Sequence, residues 1–343
     1  QKIKVLCNSD TKFTYNDSFA NIWVGKLTNN LGDEIIDESC KKFLETLDIY
    51  KNRFSSHKRI SPLKFVSYKK FKYWIIGGSN ILGNRKYRPG QLPFGILTSL
   101  IHRPKLLMLG CGWIDDSKAV DLYSYIKIKL IYPENFPHSV RDSKTKKLLE
   151  SIGYKNIYNT SCPTIWNLPK DINNLIPSKK SSSCVFTLTD YRKDFKSDTE
   201  FIKIICLNYE EIYFWPQGLD DNKYLSELLI DYNLSKEFQK IKIIDRNLKS
   251  FDQLLNEKKI DYIGTRLHGG IRALQNYKRT IIIAIDNRAS GIGKDNNLCI
   301  VDRKNIFRDL ENKINKFENN IKINYEIIDL YKEKLINFIN NIN

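Results

Sequence analysis

The feature that most constrains the fold is an alternation of short apolar strands with amphipathic helices, which runs through the chain twice. In the first half, the spacing of apolar residues predicts strands at 20–26, 64–68, 73–77, 105–110 and 126–132. It predicts helices at 33–47 and 143–152. In the second half, strands are predicted at 184–188, 211–215, 241–244, 261–264 and 280–285, with helices between them. We also expect an added edge strand at 3–7. Such alternation predicts parallel sheets covered by helices on both faces.

A polar stretch separates the two series. Residues 167–183 contain two prolines and end in a serine run, as linkers do. We therefore predict an N-terminal Rossmann-like domain over 1–172, a linker over 173–183, a second Rossmann-like domain over 184–302 and C-terminal helices over 303–343. Two α/β domains joined in this way leave a central cleft at the carboxyl ends of their sheets.

Charge and cysteine usage limit the class of protein. Lys and Arg number 56 against 39 Asp and Glu, a net charge of +17, which attracts anions, although a solvated lysine-rich surface is the alternative. No run of eighteen apolar residues is present, so no membrane span is expected. The seven cysteines are scattered without a C-x-x-C pair, which favours a reducing cytoplasm. Nucleic acid is not an expected partner, because no nucleic-acid-binding motif occurs.

One strand end has the residues of an anion site. The predicted strand 261–264 leads into Arg266, His268, Gly269 and Gly270 and then a helical pattern. Backbone N–H groups at a helix start, a guanidinium and an imidazole together can bind an anion and transfer a proton. A structural histidine is the alternative, but an arginine before it and two glycines after it favour an exposed ring. We predict that His268 and Arg266 are catalytic and that Gly269 and Gly270 bind the anion.

Two more arginines follow strands of the second half. Arg192 comes after the predicted strand 184–188, at the same sheet edge as His268. Two guanidiniums from separate turns could hold a carboxylate and a phosphate together, which lysine does less specifically. Arg288 follows the last predicted strand and is a weaker anion-binding candidate, with a solvated loop arginine as the alternative.

Strand ends of the first half supply candidates for binding the other substrate. They are Asn30, Gly32 and Asp33 at the first helix start, Gly77 and Gly78 after a buried strand, and Arg141 before a further helix. Helix capping alone would explain the first group, and an ion pair with Asp142 would explain Arg141.

Several of these blocks together resemble a known family. Asn30-x-Gly32-Asp33, Ile76-Gly77-Gly78, Val140-Arg141-Asp142, Cys162-Pro163 and Arg266-Leu267-His268-Gly269, in this order, are similar to the polysaccharide pyruvyl transferase family. The resemblance implies two Rossmann-like domains in the GT-B arrangement. We assign the acceptor to the first domain and the donor anion to the second. The resemblance also implies transfer of pyruvate from phosphoenolpyruvate to sugar hydroxyls of a cell-surface glycan, as a ketal. Ser79 and Cys162 depart from the family pattern, which leaves the donor and the acceptor open.

The resemblance assigns expected roles to residues. Arg266 and Arg192 would hold the anionic groups, and His268, charged beside a phosphate, would be the general acid. Asn30 and Gly32 would shape the opposite wall. Hydroxyl protons would go to a carboxylate, for which the candidates are Asp33, Asp220 and Asp221.

Partners and alternatives follow from the same reading. We expect no metal, because no Asp-x-Asp pattern stands at a strand end, and we expect no cofactor. The expected partners are phosphoenolpyruvate or a nucleotide sugar, and a glycan acceptor that is free or lipid-linked. Peripheral contact with the inner face of the membrane is left open by the basic surface. A glycosyltransferase with a nucleotide-sugar donor and a non-catalytic protein that binds anionic glycans are the alternative functions.

Overall fold

The computed structural model describes residues 18–23, 30–56, 58–84, 92–231 and 239–342. The predicted edge strand 3–7 and the end of the predicted strand 20–26 lie outside these ranges. Three parallel sheets, of four and two strands in the first half and of six strands in the second, make up the described part together with flanking helices. No helix in these ranges combines the length and the apolar character needed to cross a membrane.

The sheets of the first half are parallel. The strands described here are β1 (Phe19–Trp23), β2 (Arg53–Ser55), β3 (Tyr73–Gly77), β4 (Lys105–Leu109), β5 (His138–Val140) and β6 (Ile157–Asn159). The order is β2-β1-β3-β4, and β5 pairs with β6. A bridge between Cys111 and Val140 connects the two groups. The strand order reverses between β1 and β3, so the loops after these strands border a crevice.

The sheet of the second half is also parallel. Its strands are β7 (Ser183–Thr187), β8 (Glu211–Phe214), β9 (Ile241–Ile243), β10 (Ile260–Gly264), β11 (Thr280–Ala284) and β12 (Ile300–Asp302). Their order is β12-β11-β10-β7-β8-β9, the order of dinucleotide-binding Rossmann domains. The reversal lies between β7 and β10. The loop that carries Arg192 and the helix start that carries His268 follow these two strands.

Helices follow most strands and begin at polar caps. In the described ranges they are α1 (Leu31–Leu44), α2 (Pro62–Val66), α3 (Ile96–His102), α4 (Leu122–Ile131), α5 (Ser143–Ser151), α6 (Ile172–Leu175), α7 (Phe195–Asn208), α8 (Asp221–Asp231), α9 (Leu248–Glu257), α10 (Leu267–Gln275), α11 (Asn287–Asp295), α12 (Ile306–Asn315) and α13 (Tyr325–Asn341). The side chains of Asn30, Asp142 and Asp286 accept hydrogen bonds from the first turns of α1, α5 and α11. These caps fix the helix starts at the edge of the cleft.

Two predicted strands, 64–68 and 126–132, are wrong, because these residues form α2 and α4. Ser61 accepts a hydrogen bond from Lys64 N and Pro62 occupies the first helical position, which together start α2. In α4, Ile and Lys alternate with the period of a strand, yet Asp121 caps a helix there. The buried positions 124, 127, 128 and 131 have helical spacing, so the strand-like period was misleading.

The C-terminal helices pack on different halves. α12 buries Ile306, Leu310 and Ile314 against the second sheet, whereas α13 returns to the first half, where Tyr331 Oη donates to Met108 O at 3.1 Å. The chain therefore crosses between the halves twice. The crossings meet where Asn173 Nδ2 donates to Ile321 O and Ile321 N donates to Asn173 Oδ1, both at 2.9 Å. The predicted domain boundaries stay a prediction.

Candidate active site

A cavity of about 720 Å³ lies between the two halves, at the carboxyl ends of their strands. It is bounded by the loops and helix starts after β1, β3, β4 and β5 of the first half and after β7, β10 and β11 of the second. Its lining residues are Asn30, Asp33, Ile36, Gly78, Ser79, Asn80, Ile114, Asp115, Asp116, Arg141, Tyr191, Arg192, His268, Ile285, Asp286, Asn287 and Arg288. Because every strand here is parallel, all of these loops lie at carboxyl ends, where α/β folds bind ligands.

His268 stands in the cavity wall near two guanidiniums. It is the second residue of α10, is 6% exposed, and has its Nε2 3.7 Å from Cys162 Sγ. The pKa of His268 is lowered to about 3, mainly by burial and also by the charges of Arg288 and Arg141, while Asp286 acts in the opposite direction. The ring is therefore neutral at pH 7 in the unliganded protein. The predicted charge on His268 requires an anion to arrive beside it.

Arg288 lines the cavity, and an ion pair with Asp286 holds its guanidinium in place. Its Nε and Nη2 lie 2.8 and 2.5 Å from Asp286 Oδ2, and its Nη2 donates to Tyr191 Oη at 2.6 Å. Burial alone would lower the pKa of this guanidinium, but Asp286 outweighs it and the pKa is raised. Arg288 is therefore a positioned cation and not a solvated loop arginine, and Asp286 already neutralises much of its charge.

Arg141 is the less neutralised of the two guanidiniums. The side chain is 1% exposed, and Nη2 donates to Asn80 Oδ1. Asp142 Oδ2 lies 3.7 Å from its Nε, and Nε has no hydrogen-bond partner within the described part of the chain. Burial lowers the pKa of Arg141. A buried guanidinium with an unsatisfied donor at a cavity wall is suited to receive an anion.

Arg192 supplies the third cation, at the mouth of the cavity. It is exposed, and its backbone oxygen accepts a hydrogen bond from Arg303 Nη1 at 2.5 Å. Its guanidinium forms no ion pair with any carboxylate of the described residues. It can therefore turn toward a ligand at little electrostatic cost.

Arg266 does not reach the cavity, which corrects the prediction that it holds the donor anion. The side chain is 3% exposed and pairs with Asp221 Oδ1 and with Asp190 Oδ1, the latter at 2.8 Å. Its Nε donates to Leu188 O at 2.9 Å. The guanidinium is thus used to join the loops after β7, β8 and β10. Asp221 is fully buried in this network, and neither it nor the exposed Asp220 lines the cavity, so neither can take a hydroxyl proton there.

Four predicted glycines also serve packing. A Cβ on Gly32 would lie 2.7 Å from Gln217 Nε2, and one on Gly77 would lie 2.5 Å from Cys40 Sγ. On Gly269 and Gly270 it would lie 2.9 Å from Tyr262 Oη and 2.7 Å from Ile282 Cγ1. None of the four lines the cavity. They permit close approach between elements, and the predicted direct contact of their backbones with a ligand is not what the geometry provides.

The remaining predicted residues of the first half do line the cavity. Asn30 Oδ1 accepts from Gly32 N at 3.1 Å and from Gln217 Nε2 at 2.7 Å, so it caps α1 and also joins the two halves. Asp33 lies in the first turn of α1. Gly78 has a φ of +59°, which favours glycine, and a Cβ there would lie 2.0 Å from Ile36 Cγ2. Asp33 is therefore the carboxylate of the three candidates that a substrate in the cavity can meet.

Sequence reasoning missed seven polar residues of this cavity. They are Ser79, Asn80, Asp115, Asp116, Tyr191, Asp286 and Asn287. Asp286 could have been found, since it directly follows a buried strand and precedes the arginine it pairs with. Asp115 accepts from Asn84 N at 3.0 Å and from Ser117 N at 2.8 Å, so it organises a loop. The sequence near Asn80 and Tyr191 contains no comparable signal.

A second cavity, of about 650 Å³, continues from the first. The two share Asp116, Arg141, Asn287 and Arg288. The faces of α5 and α11 form the walls of the second cavity, and Lys118, Lys144, Lys147 and Lys294 border it. The cleft is therefore long enough for a ligand larger than one small anion.

Together these residues can bind an anion, supply a proton and accept one. Arg141, Arg192 and Arg288 provide positive charge, His268 can be protonated once an anion is present, and Asp33 is a carboxylate in the same cavity. In the described ranges no group of His, Cys, Asp and Glu has metal-binding geometry, and that no metal or cofactor is used stays a prediction.

Solved structures with the same architecture support the assignment of the fold. The chain is similar to the UDP-GlcNAc 2-epimerase of Methanocaldococcus jannaschii in complex with UDP-GlcNAc and UDP, with a TM-score of 0.55 and 12% identity over 94% of this chain and 99% of that one. It is similar to S. aureus MnaA in complex with UDP, with a TM-score of 0.53 and 11% identity over 93% and 90% of the two chains. The predicted fold class, with two Rossmann-like units facing a central cleft in the GT-B manner, is confirmed.

The family follows from a sequence comparison. No curated protein matches the chain. The family model described as polysaccharide pyruvyl transferase matches residues 30–287. This range begins at Asn30 and contains every lining residue of the first cavity except Arg288. This range covers most of the 343 residues, and the chain is a transferase of glycan biosynthesis that belongs to the polysaccharide pyruvyl transferase family.

Proposed function

We propose that this transferase moves pyruvate from phosphoenolpyruvate to two hydroxyls of one sugar in a cell-surface glycan. The products would be a pyruvate ketal and inorganic phosphate. The observation that carries the proposal is a neutral, buried His268 near two guanidiniums, Arg141 and Arg288, in one cavity. A donor with both a carboxylate and a phosphate matches this arrangement, because each guanidinium can hold one anionic group.

The first step is the addition of a sugar hydroxyl to the enol of the donor. Protonated His268 gives its proton to the methylene carbon, which leaves the neighbouring carbon electrophilic. The hydroxyl oxygen bonds to that carbon and its proton passes to Asp33. In the second step phosphate leaves, and a second hydroxyl of the same sugar bonds to the same carbon and closes the ketal. The proton of this hydroxyl leaves with the phosphate, and the guanidiniums stabilise the departing charge.

The acceptor enters from the first half in this proposal. Asn30, Asp33 and Gly78 form that wall of the main cavity, and the second cavity gives room for the next unit of the glycan. We place the reaction in the cytoplasm, at the inner face of the membrane when the acceptor is lipid-linked. The cysteines within the described ranges are all free, as expected in a reducing compartment.

Incubation with phosphoenolpyruvate and candidate glycans, followed by mass measurement of the product, tests the reaction. We expect a gain in mass that matches a pyruvate ketal, with release of one phosphate. His268→Gln is expected to abolish turnover while its circular dichroism and thermal unfolding match those of the wild type. Thermal stabilisation by UDP but not by phosphoenolpyruvate would contradict the proposal and favour the glycosyltransferase alternative.

A further inference from the structure

Three neighbouring helices of the first half, α2, α3 and α4, turn large aliphatic side chains toward solvent. The apolar face that they form consists of Leu63, Leu97, Leu100, Ile101, Leu122 and Ile126, which are 42% to 87% exposed. Single exposed apolar residues are ordinary, but a contiguous group on adjacent helices marks an interaction surface. The face lies on the outside of the molecule, because none of these residues lines the cavities of the cleft.

Helix α3 has the reverse of the usual surface pattern. It buries Thr98 and Ser99 and exposes Leu97, Leu100 and Ile101. The buried hydroxyls are satisfied, since Thr98 Oγ1 donates to Ile60 O at 3.1 Å and Ser99 Oγ donates to Gly95 O at 3.0 Å. The orientation of the helix is therefore fixed by its inner side, and its aliphatic side chains are held outward.

Helix α2 packs against α3 and is held there by contacts of His102. The His102 ring stacks on Phe65 with centroids 4.8 Å apart, and His102 Nε2 lies 2.9 Å from Pro62 O. These contacts join α3 to α2, and Ile60 and Phe94 form a bridge beside them. The apolar face is thus a rigid part of the fold.

The segments that carry the apolar face have charge of one sign. Six Lys and Arg occur in 58–72, two in 95–105 and two in 122–132, and none of these segments contains Asp or Glu. The chain as a whole has 39 acidic residues among 343, so their absence here distinguishes this face from the general lysine-rich surface. Cations from two of these segments lie close together. Burial, together with the positive charge of nearby Arg59, lowers the pKa of Lys127 to about 8.

We propose that the apolar face docks on the surface of a bilayer that contains anionic phospholipid. The aliphatic side chains enter the boundary between headgroups and acyl chains, and the surrounding Lys and Arg contact lipid phosphates. A second copy of this chain is a poorer occupant, because both faces would bring net positive charge together even with Lys129 paired to Glu134 at 2.6 Å. Leu122 follows the cavity residue Asp116 by six residues, so the face comes within about 20 Å of the cleft and of a membrane-held acceptor.

Vesicle flotation of the full chain tests the proposal without any donor or acceptor, so its outcome is independent of pyruvyl transfer. We expect the wild type to bind vesicles of phosphatidylglycerol and phosphatidylcholine, and to bind pure phosphatidylcholine at least about tenfold more weakly. The variant Leu97→Gln/Leu100→Gln/Ile101→Gln should lose at least about 100-fold in partitioning. Leu207→Gln/Ile230→Gln is the matched control, since these side chains are 83% and 77% exposed elsewhere, and it should change binding by less than about twofold.

Three outcomes would overturn the proposal. The first is failure of the wild type to float with anionic vesicles at low salt, and the second is binding of the triple variant at the level of the wild type. The third is a wild-type dimer in analytical ultracentrifugation that the triple variant abolishes, which would assign the face to a second copy. Circular dichroism and thermal unfolding of the triple variant should match the wild type, because the three side chains are already more than half exposed.

Discussion

Binding of phosphoenolpyruvate is expected to add a proton to His268. The pKa of about 3 in the unliganded protein means that at pH 7 only about one ring in ten thousand is charged. The bound donor must raise the pKa by about 4 units to make the ring half charged at pH 7, which requires about 5 kcal/mol of coupling. A dianionic phosphate about 4 Å from the ring supplies about 8 kcal/mol at an effective dielectric constant of 20. The donor itself can therefore create the general acid.

Calorimetry at pH 7 in buffers of different ionisation enthalpy measures the protons taken up for each donor bound. The phosphate of the donor also titrates, so the informative quantity is the difference between the wild type and His268→Gln. We expect this difference to be between about one half and one proton. We also expect donor affinity to weaken with rising pH up to the new pKa and to level off above it, a dependence that His268→Gln should lack. Equal proton counts in the two proteins would refute the reasoning, because the acid would then be another group.

Two further predictions concern the arginines. Asp221→Asn should lower the free energy of unfolding by about 3 kcal/mol in urea titrations, because it removes the charge of a buried partner of Arg266. Its exposed neighbour is the control: Asp220→Asn should change the free energy of unfolding by less than about 0.5 kcal/mol. Arg192→Gln should raise the KM for the donor about tenfold or more with little change in the free energy of unfolding. The control Arg308→Gln, at an exposed arginine, should leave both quantities unchanged. An unaltered KM in Arg192→Gln would remove Arg192 from donor binding.

The two sheets were predictable because parallel strands buried on both faces form continuous apolar runs. Runs such as 261–264 and 280–285 have flanking turns that mark their ends, and both are strands. Short strands such as β2 and β5, of three residues each, have too few side chains to show a period. α4 was mistaken for a strand because its outer side is aliphatic, so the usual contrast between a polar and an apolar side is missing.

The sequence predicts at which strand ends the site residues lie, but it does not predict in which direction their side chains point. Arg266 and His268 are two residues apart at the end of β10, yet only His268 turns into the cavity. The partner that draws Arg266 away, Asp221, is 45 residues distant in sequence. No local pattern encodes such a pairing. The sequence allows Arg141 to be an anion site or half of an ion pair, and Arg288 to be an anion site or a solvated arginine. Only the tertiary arrangement brings both beside one imidazole.

The double crossing between the halves governs how the cleft can move. A single connecting segment would let one half swivel freely on the other. Here two segments run side by side, and the reciprocal hydrogen bonds of Asn173 with Ile321 would be sheared by any sliding or twisting at that place. Tyr325 Oη, which donates to Leu168 O at 2.8 Å, adds a further tie. Sliding and twisting of one half on the other are thereby opposed, which keeps the catalytic groups of the two halves in one register.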